Sequence, residues 1–157
     1  MRERTCCFTG HRNLPTGWGR WKLKTKLEKV IIEQIENGVQ FFGVGGALGF
    51  DTLAAQTVLK LKKTHPHIKL ILVLPCLTQT RGWPSEDVEE YERIKGKADK
   101  VTYTAKEYFP GCMHKRNCHL IDNSSVCIAY LIKNEGGTAY TVSYAKDNGV
   151  RVINIAD

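Results

Sequence analysis

The chain of 157 residues is the size of one domain, long enough to close a single hydrophobic core. With 42% hydrophobic and 25% charged residues it has an ordinary globular composition, which excludes a disordered or membrane-embedded chain. The excess of 23 Lys and Arg over 16 Asp and Glu, net +7, points to an anionic partner, and no apolar run approaches the roughly 18 residues of a membrane span.

A short apolar run, Thr5 to Thr9, closes on Gly10 and reads as a buried first strand. Leu23, Leu27, Val30, Ile31 and Ile35 recur at helical spacing, predicting a helix from about Arg20 to Asn37 with Gly38 as its stop. Val39 to Val44 predicts the second strand, and Gly45-Gly46-Ala47-Leu48-Gly49 leads from it into a helix carrying Leu53, Ala54, Val58 and Leu61. Ile68 to Leu74, apolar but for Lys69, reads as a strand covered on both faces and stopped by Pro75. After a loop from Thr78 to Pro84, Ser85 is expected to cap a helix ending near Gly96. A weak strand, Lys100 to Tyr103, precedes a polar helix from Cys112 to Asp122 and a buried strand from Ser125 to Ile132. Thr138 to Asn148 predicts a last helix stopped by Gly149, and Val150 to Ile155 a last strand.

This alternation over residues 1–157, without repeat or linker, predicts one α/β domain. Its expected form is a Rossmann-like, open, mostly parallel sheet with helices on both faces, three layers in all. Ligands of such sheets collect outside the carboxyl ends of the strands. Three loops there are unusual: Thr9-Gly10-His11-Arg12, Gly45-Gly46-Ala47-Leu48-Gly49-Phe50-Asp51 and Glu135-Gly136-Gly137-Thr138. Glycine lets backbone amides approach an anion and a following helix N-terminus favours negative charge, so phosphate is the expected guest. Neither long glycine cluster matches a Walker A sequence or a full dinucleotide fingerprint, and each can equally be a tight strand-to-helix turn.

Arg12 has the donor fork to clamp a phosphate and His11 can donate beside it. Asp51 either accepts from a ribose or base or caps its helix, and Thr138 either binds phosphate or caps the last helix. Arg116 and Asn117 reach the same cleft from the polar helix, unless Arg116 is an exposed arginine paired with Asp122. Trp18, Trp21 and Trp83 near Arg20 and Arg81 either stack on a base or pack helix against sheet. The basic stretches Trp21 to Lys29 and Lys60 to Lys63 are solvated helix faces or a nucleic-acid surface. The spacing of Cys112, His114, Cys118 and His119 is not that of a zinc-finger pair, so no metal is expected, and no other cofactor. The Met-Arg-Glu-Arg start leads straight into a strand, so the cytoplasm and six free thiols are expected, with Cys6, Cys7, Cys76 and Cys127 packing as small hydrophobes.

Cys7-Phe8-Thr9-Gly10-His11-Arg12, Gly45-Gly46-Ala47-Leu48-Gly49-Phe50-Asp51 and Arg116-Asn117 leading to Gly136-Gly137-Thr138 together resemble the SLOG superfamily, nearest its YpsA-like branch. The resemblance covers nearly the whole chain and implies binding of a nucleotide or nucleotide-derived small molecule by a sensor-like protein. The superfamily includes the single-stranded-DNA-binding domain of DprA, which implies a nucleic-acid module as one alternative. It also includes the LOG phosphoribohydrolases, which implies a nucleoside-monophosphate N-glycosidase as another. The catalytic glutamate of the LOG pattern falls on Thr141, and a hydroxyl does not replace a carboxylate in glycosidic cleavage, so no catalytic residue is assigned. Glu135 could supply a carboxylate only from another angle. Related domains often pair, which implies a homodimer.

Overall fold

Strand and helix alternate as the apolar periodicity dictates in the computed structural model, which describes residues 1–156. After a 3-10 turn at Arg2–Arg4, the order is β1 (Thr5–Gly10), α1 (Gly17–Glu36), β2 (Phe41–Val44), α2 (Phe50–Lys62), β3 (Lys69–Leu74) and α3 (Ser85–Lys97). Then come β4 (Lys100–Tyr103), α4 (Cys112–Asp122), β5 (Val126–Tyr130), α5 (Gly136–Asp147) and β6 (Arg151–Asn154). Every strand pairing is parallel, and the sheet order is β4-β3-β2-β1-β5-β6.

Strand ends fall within two residues of the sequence reading, and the N-termini of three helices depart from it. Helix α1 starts at Gly17 rather than near Arg20, because Trp18 and Trp21 lie on its exposed side and give no buried-face signal. Pro84, not Ser85, is the N-cap of α3, and no side chain caps that helix. The Gly136-Gly137 pair forms the first turn of α5 rather than a loop before it.

The pleat sends alternate residues of each strand into two cores. Cys6 and Phe8 of β1 join Leu27, Ile31, Leu53, Val58 and Ile94 of α1, α2 and α3. Cys7 joins Leu120, Ile121 and Ala145 of α4 and α5. The result is a three-layer Rossmann-like fold. Its first four strands step outward from β1, and the chain then returns through α4 to lay β5 on the other side of β1. That reversal is a topological switch point, and a crevice opens beyond the carboxyl ends of β1 and β5.

Candidate functional site

A cleft of about 290 Å³ lies at the switch point. From β1 it takes Thr9, Gly10, His11 and Arg12; from the β2 side, Ala47 and Asp51; from α4, Met113, Arg116 and Asn117; from the start of α5, Glu135, Gly136, Gly137 and Thr138. Gly45, Gly46 and Gly49 do not line it. A larger groove of about 550 Å³ follows a single helix, α1, between the charged side chains Glu28, Lys29, Glu33 and Glu36, with no convergent donors from a second element.

The first glycine cluster serves the packing of the chain on itself. A Cβ on Gly10 would lie 2.4 Å from the buried Phe50 ring, and one on Gly45 would lie 2.7 Å from Arg116 Cζ. Gly49 has φ +81 and a Cβ there would meet the Arg12 carbonyl oxygen at 2.1 Å. The loop after β1 is thereby pressed onto the start of α2, and the Phe50 amide donates to the His11 carbonyl at 3.1 Å. The second cluster faces the other way: nothing lies within 4 Å of a Cβ built on Gly136 or Gly137.

Arg116 is only 4% exposed. Its Nη1 donates to the Gly45 carbonyl, its Nε donates to Asn117 Oδ1 at 2.7 Å, and its Nη2 lies 3.9 Å from Met113 Sδ. Asp122, the surface acid considered as its partner, instead accepts the Tyr144 hydroxyl at 2.7 Å. Gln79 donates to the same Gly45 carbonyl at 3.2 Å and accepts the Tyr91 hydroxyl at 2.9 Å, a brace with no sequence signal. Arg116 is thus first a buried tie between α4 and the β2 turn. Asp51, also buried, accepts the Ala47 amide at 3.1 Å. Burial raises its pKa, while the Arg116 charge, the Ala47 amide and the Arg12 charge pull it back in part. Burial likewise lowers the pKa of Arg116 against the attraction of Asp51.

The α5 N-terminus is the open wall. Glu135 at its N-cap makes no side-chain cap bond, so the first-turn amides have no partner within the helix. Such amides, backed by the helix dipole, favour an anion. Thr141 is buried, donates its hydroxyl to the Gly137 carbonyl of its own helix at 2.9 Å and does not line the cleft.

His11 Nε2 accepts the Ile132 amide at 2.9 Å, so its ring proton belongs on Nδ1, and the contact ties the β1 loop to the loop after β5. Burial, then the Lys133 charge, lowers its pKa. With the folded value below the unfolded value of about 6.5, the unfolded chain takes the proton first as pH falls. Stability from this contact is complete above about pH 6.5 and is lost as pH falls toward the lower folded-state value. Thermal melts from neutral to mildly acidic pH should show Tm falling, and His11→Gln, whose amide oxygen can still accept, should flatten that dependence. An unaltered slope in the variant would assign the acid sensitivity elsewhere.

Trp83 packs edge-on against Tyr91, whereas the exposed Trp18 and Trp21 stack on each other at 4.9 Å, and none of the three lines the cleft. Cys6, Cys7, Cys76, Cys112 and Cys127 are buried free thiols. Among the described residues, no group of three His, Cys, Asp or Glu side chains is placed to hold a metal ion. No helix among them is long and apolar enough to cross a membrane.

The model of the YspA SLOG family matches residues 18–152. The SPbeta prophage-derived protein YoqJ of Bacillus subtilis is 37% identical over 139 residues, 80% of this chain and 81% of that protein. A UPF0398 protein of Halalkalibacterium halodurans is 33% identical over 127 residues, 79% of this chain and 67% of that one. Among solved structures, the DNA processing protein A of Helicobacter pylori, described for its single-stranded DNA binding mode, has a TM-score of 0.68 at 21% identity. The likeness covers 94% of this chain, which spans 63% of that one, and at this identity it is a likeness of fold.

Proposed function

The chain belongs to the YspA SLOG family, and from that premise we propose that its switch-point cleft holds the phosphate of a nucleotide unit, presented by single-stranded nucleic acid. The observation that carries this reading is the uncapped α5 N-terminus, with open space at Gly136 and Gly137, facing exposed Arg12 across the cleft. Amides and a guanidinium converging on one small volume are complementary to a phosphate. A net charge of +7 favours a polyanion over a single nucleotide. The structurally similar Helicobacter pylori protein, described for single-stranded DNA binding, supports the same choice.

A free nucleotide or nucleotide-derived small molecule is the second reading, favoured by the cleft's volume of about 290 Å³. An N-glycosidase of the LOG type has less support. The residue at the glutamate position, Thr141, is buried and bonded to its own helix.

Fluorescence anisotropy with a labelled oligothymidylate tests the reading. Affinity should fall steeply as salt rises, and Arg12→Ala should weaken binding and reduce the salt slope by about one phosphate contact. Mononucleotides added as competitors, and in thermal-shift assays, separate the two bearers of the phosphate. If the chain bound neither the strand nor a nucleotide at low salt, the assignment would be excluded.

A further inference from the structure

Just outside the lining of the cleft, one helical turn from Asn117 on α4 and from Gly136 on α5, stand the exposed rings of His114 and Tyr140. His114 follows the cleft-lining Met113, and Tyr140 stands two residues beyond the cleft-lining Thr138. The two rings meet edge to face with centroids 4.6 Å apart at 63°, and Tyr140 remains 50% exposed. A ring steadied by a neighbour yet open to solvent offers a flat face at little further cost in side-chain entropy.

We propose that Tyr140, positioned by His114, is a stacking subsite for the nucleobase attached to the phosphate held at the α5 N-terminus. The proposal rests on the phosphate-cleft reading above and specifies where the rest of the ligand goes. Both aromatic residues rise from the helices that supply cleft residues, which puts the subsite one helical turn from the phosphate position. Trp18 and Trp21 are less suited, since each ring already has one face against the other and both rise from α1, which supplies no cleft residue. Packing of α4 against α5 does not need Tyr140, because Leu120, Ile121 and Ala145 already fill that core. Stacking on a tyrosine face accepts any base, so the subsite adds affinity without sequence preference.

Two variants and two strands test it. Oligothymidylate and an abasic phosphodiester strand of equal length are titrated against the unmodified chain, Tyr140→Ala and Tyr140→Phe. Tyr140→Ala should lose about tenfold in affinity for oligothymidylate and nothing for the abasic strand, while Tyr140→Phe should bind both like the unmodified chain. Thymidine monophosphate against ribose 5-phosphate, compared by thermal shift, repeats the contrast for a free nucleotide. Equal losses on the base-bearing and abasic strands, or no loss on either, overturn the base subsite while leaving the phosphate reading in place. Failure of the unmodified chain to bind any of the four probes overturns both.

Discussion

Gly49→Ala is expected to cost about 3 kcal/mol or more of folding stability, enough to leave a marginal domain largely unfolded. Two effects combine. At φ +81 and ψ −118 the backbone is in a region that residues with a side chain rarely adopt. The added methyl would also lie 2.1 Å from the Arg12 carbonyl oxygen, a backbone atom held in place by the His11–Phe50 hydrogen bond. The β1 loop must move, taking one wall of the cleft with it. Gly137→Ala is the control, since its added methyl meets nothing within 4 Å and its φ is not positive. Its stability should stay within about 0.5 kcal/mol of the parent while ligand affinity falls. Urea unfolding midpoints read with binding isotherms would separate the two glycine roles. A mild Gly49→Ala would show that the β1 loop yields easily and that the close approach is not structural.

Arg116→Ala should be as damaging, by roughly 3 kcal/mol, and for a different reason. The guanidinium is buried, bonded to the Gly45 carbonyl and set against the buried carboxylate of Asp51. Removing it leaves Asp51 without its main compensating charge and takes a charged donor from the Gly45 carbonyl, with only Gln79 left to satisfy it. Arg116→Lys should recover part of the loss, because an ammonium keeps the charge but not the fork that reaches Gly45 and Asn117 together. Denaturant melts decide the matter: if Arg116→Ala were as stable as the parent and only ligand affinity fell, Arg116 would be a ligand clamp and not a tie. Arg12→Ala, on an exposed side chain, should show that opposite pattern.

The alternation of elements was readable because core-facing residues repeat with the period of the element that carries them. Leu23, Leu27, Val30 and Ile31 mark α1 in sequence as clearly as in space. The start of α1 was not readable, since Trp18 and Trp21 there face water. That the unusual loops share one edge of the sheet followed from the parallel fold class, whereas the adjacency of β1 and β5, which brings two of them together, is set by long-range pairing that leaves no local trace. What each glycine cluster does was hidden, because that depends on the atoms opposite, and composition is alike at Gly45-Gly46 and Gly136-Gly137. The burial of Arg116 was hidden for the same reason, its acceptor being 71 positions away on a polar-looking helix. His114 stood out as a candidate metal ligand and not as a partner for a ring, and Tyr140 carried no signal of its own, because the pairing depends on α4 lying beside α5.

The return of the chain to β1 has a consequence for assembly. His11 and Lys133, on the two lips of the crevice, are 122 positions apart, so the crevice does not exist until β5 has docked beside β1. Any occupant therefore stitches a seam between early and late parts of the chain, raising the free energy of the openings that separate them. In native-state hydrogen exchange, an occupant should slow the amides of β1 and β5 in concert and leave those of β4, at the far margin of the sheet, exchanging at their former rate.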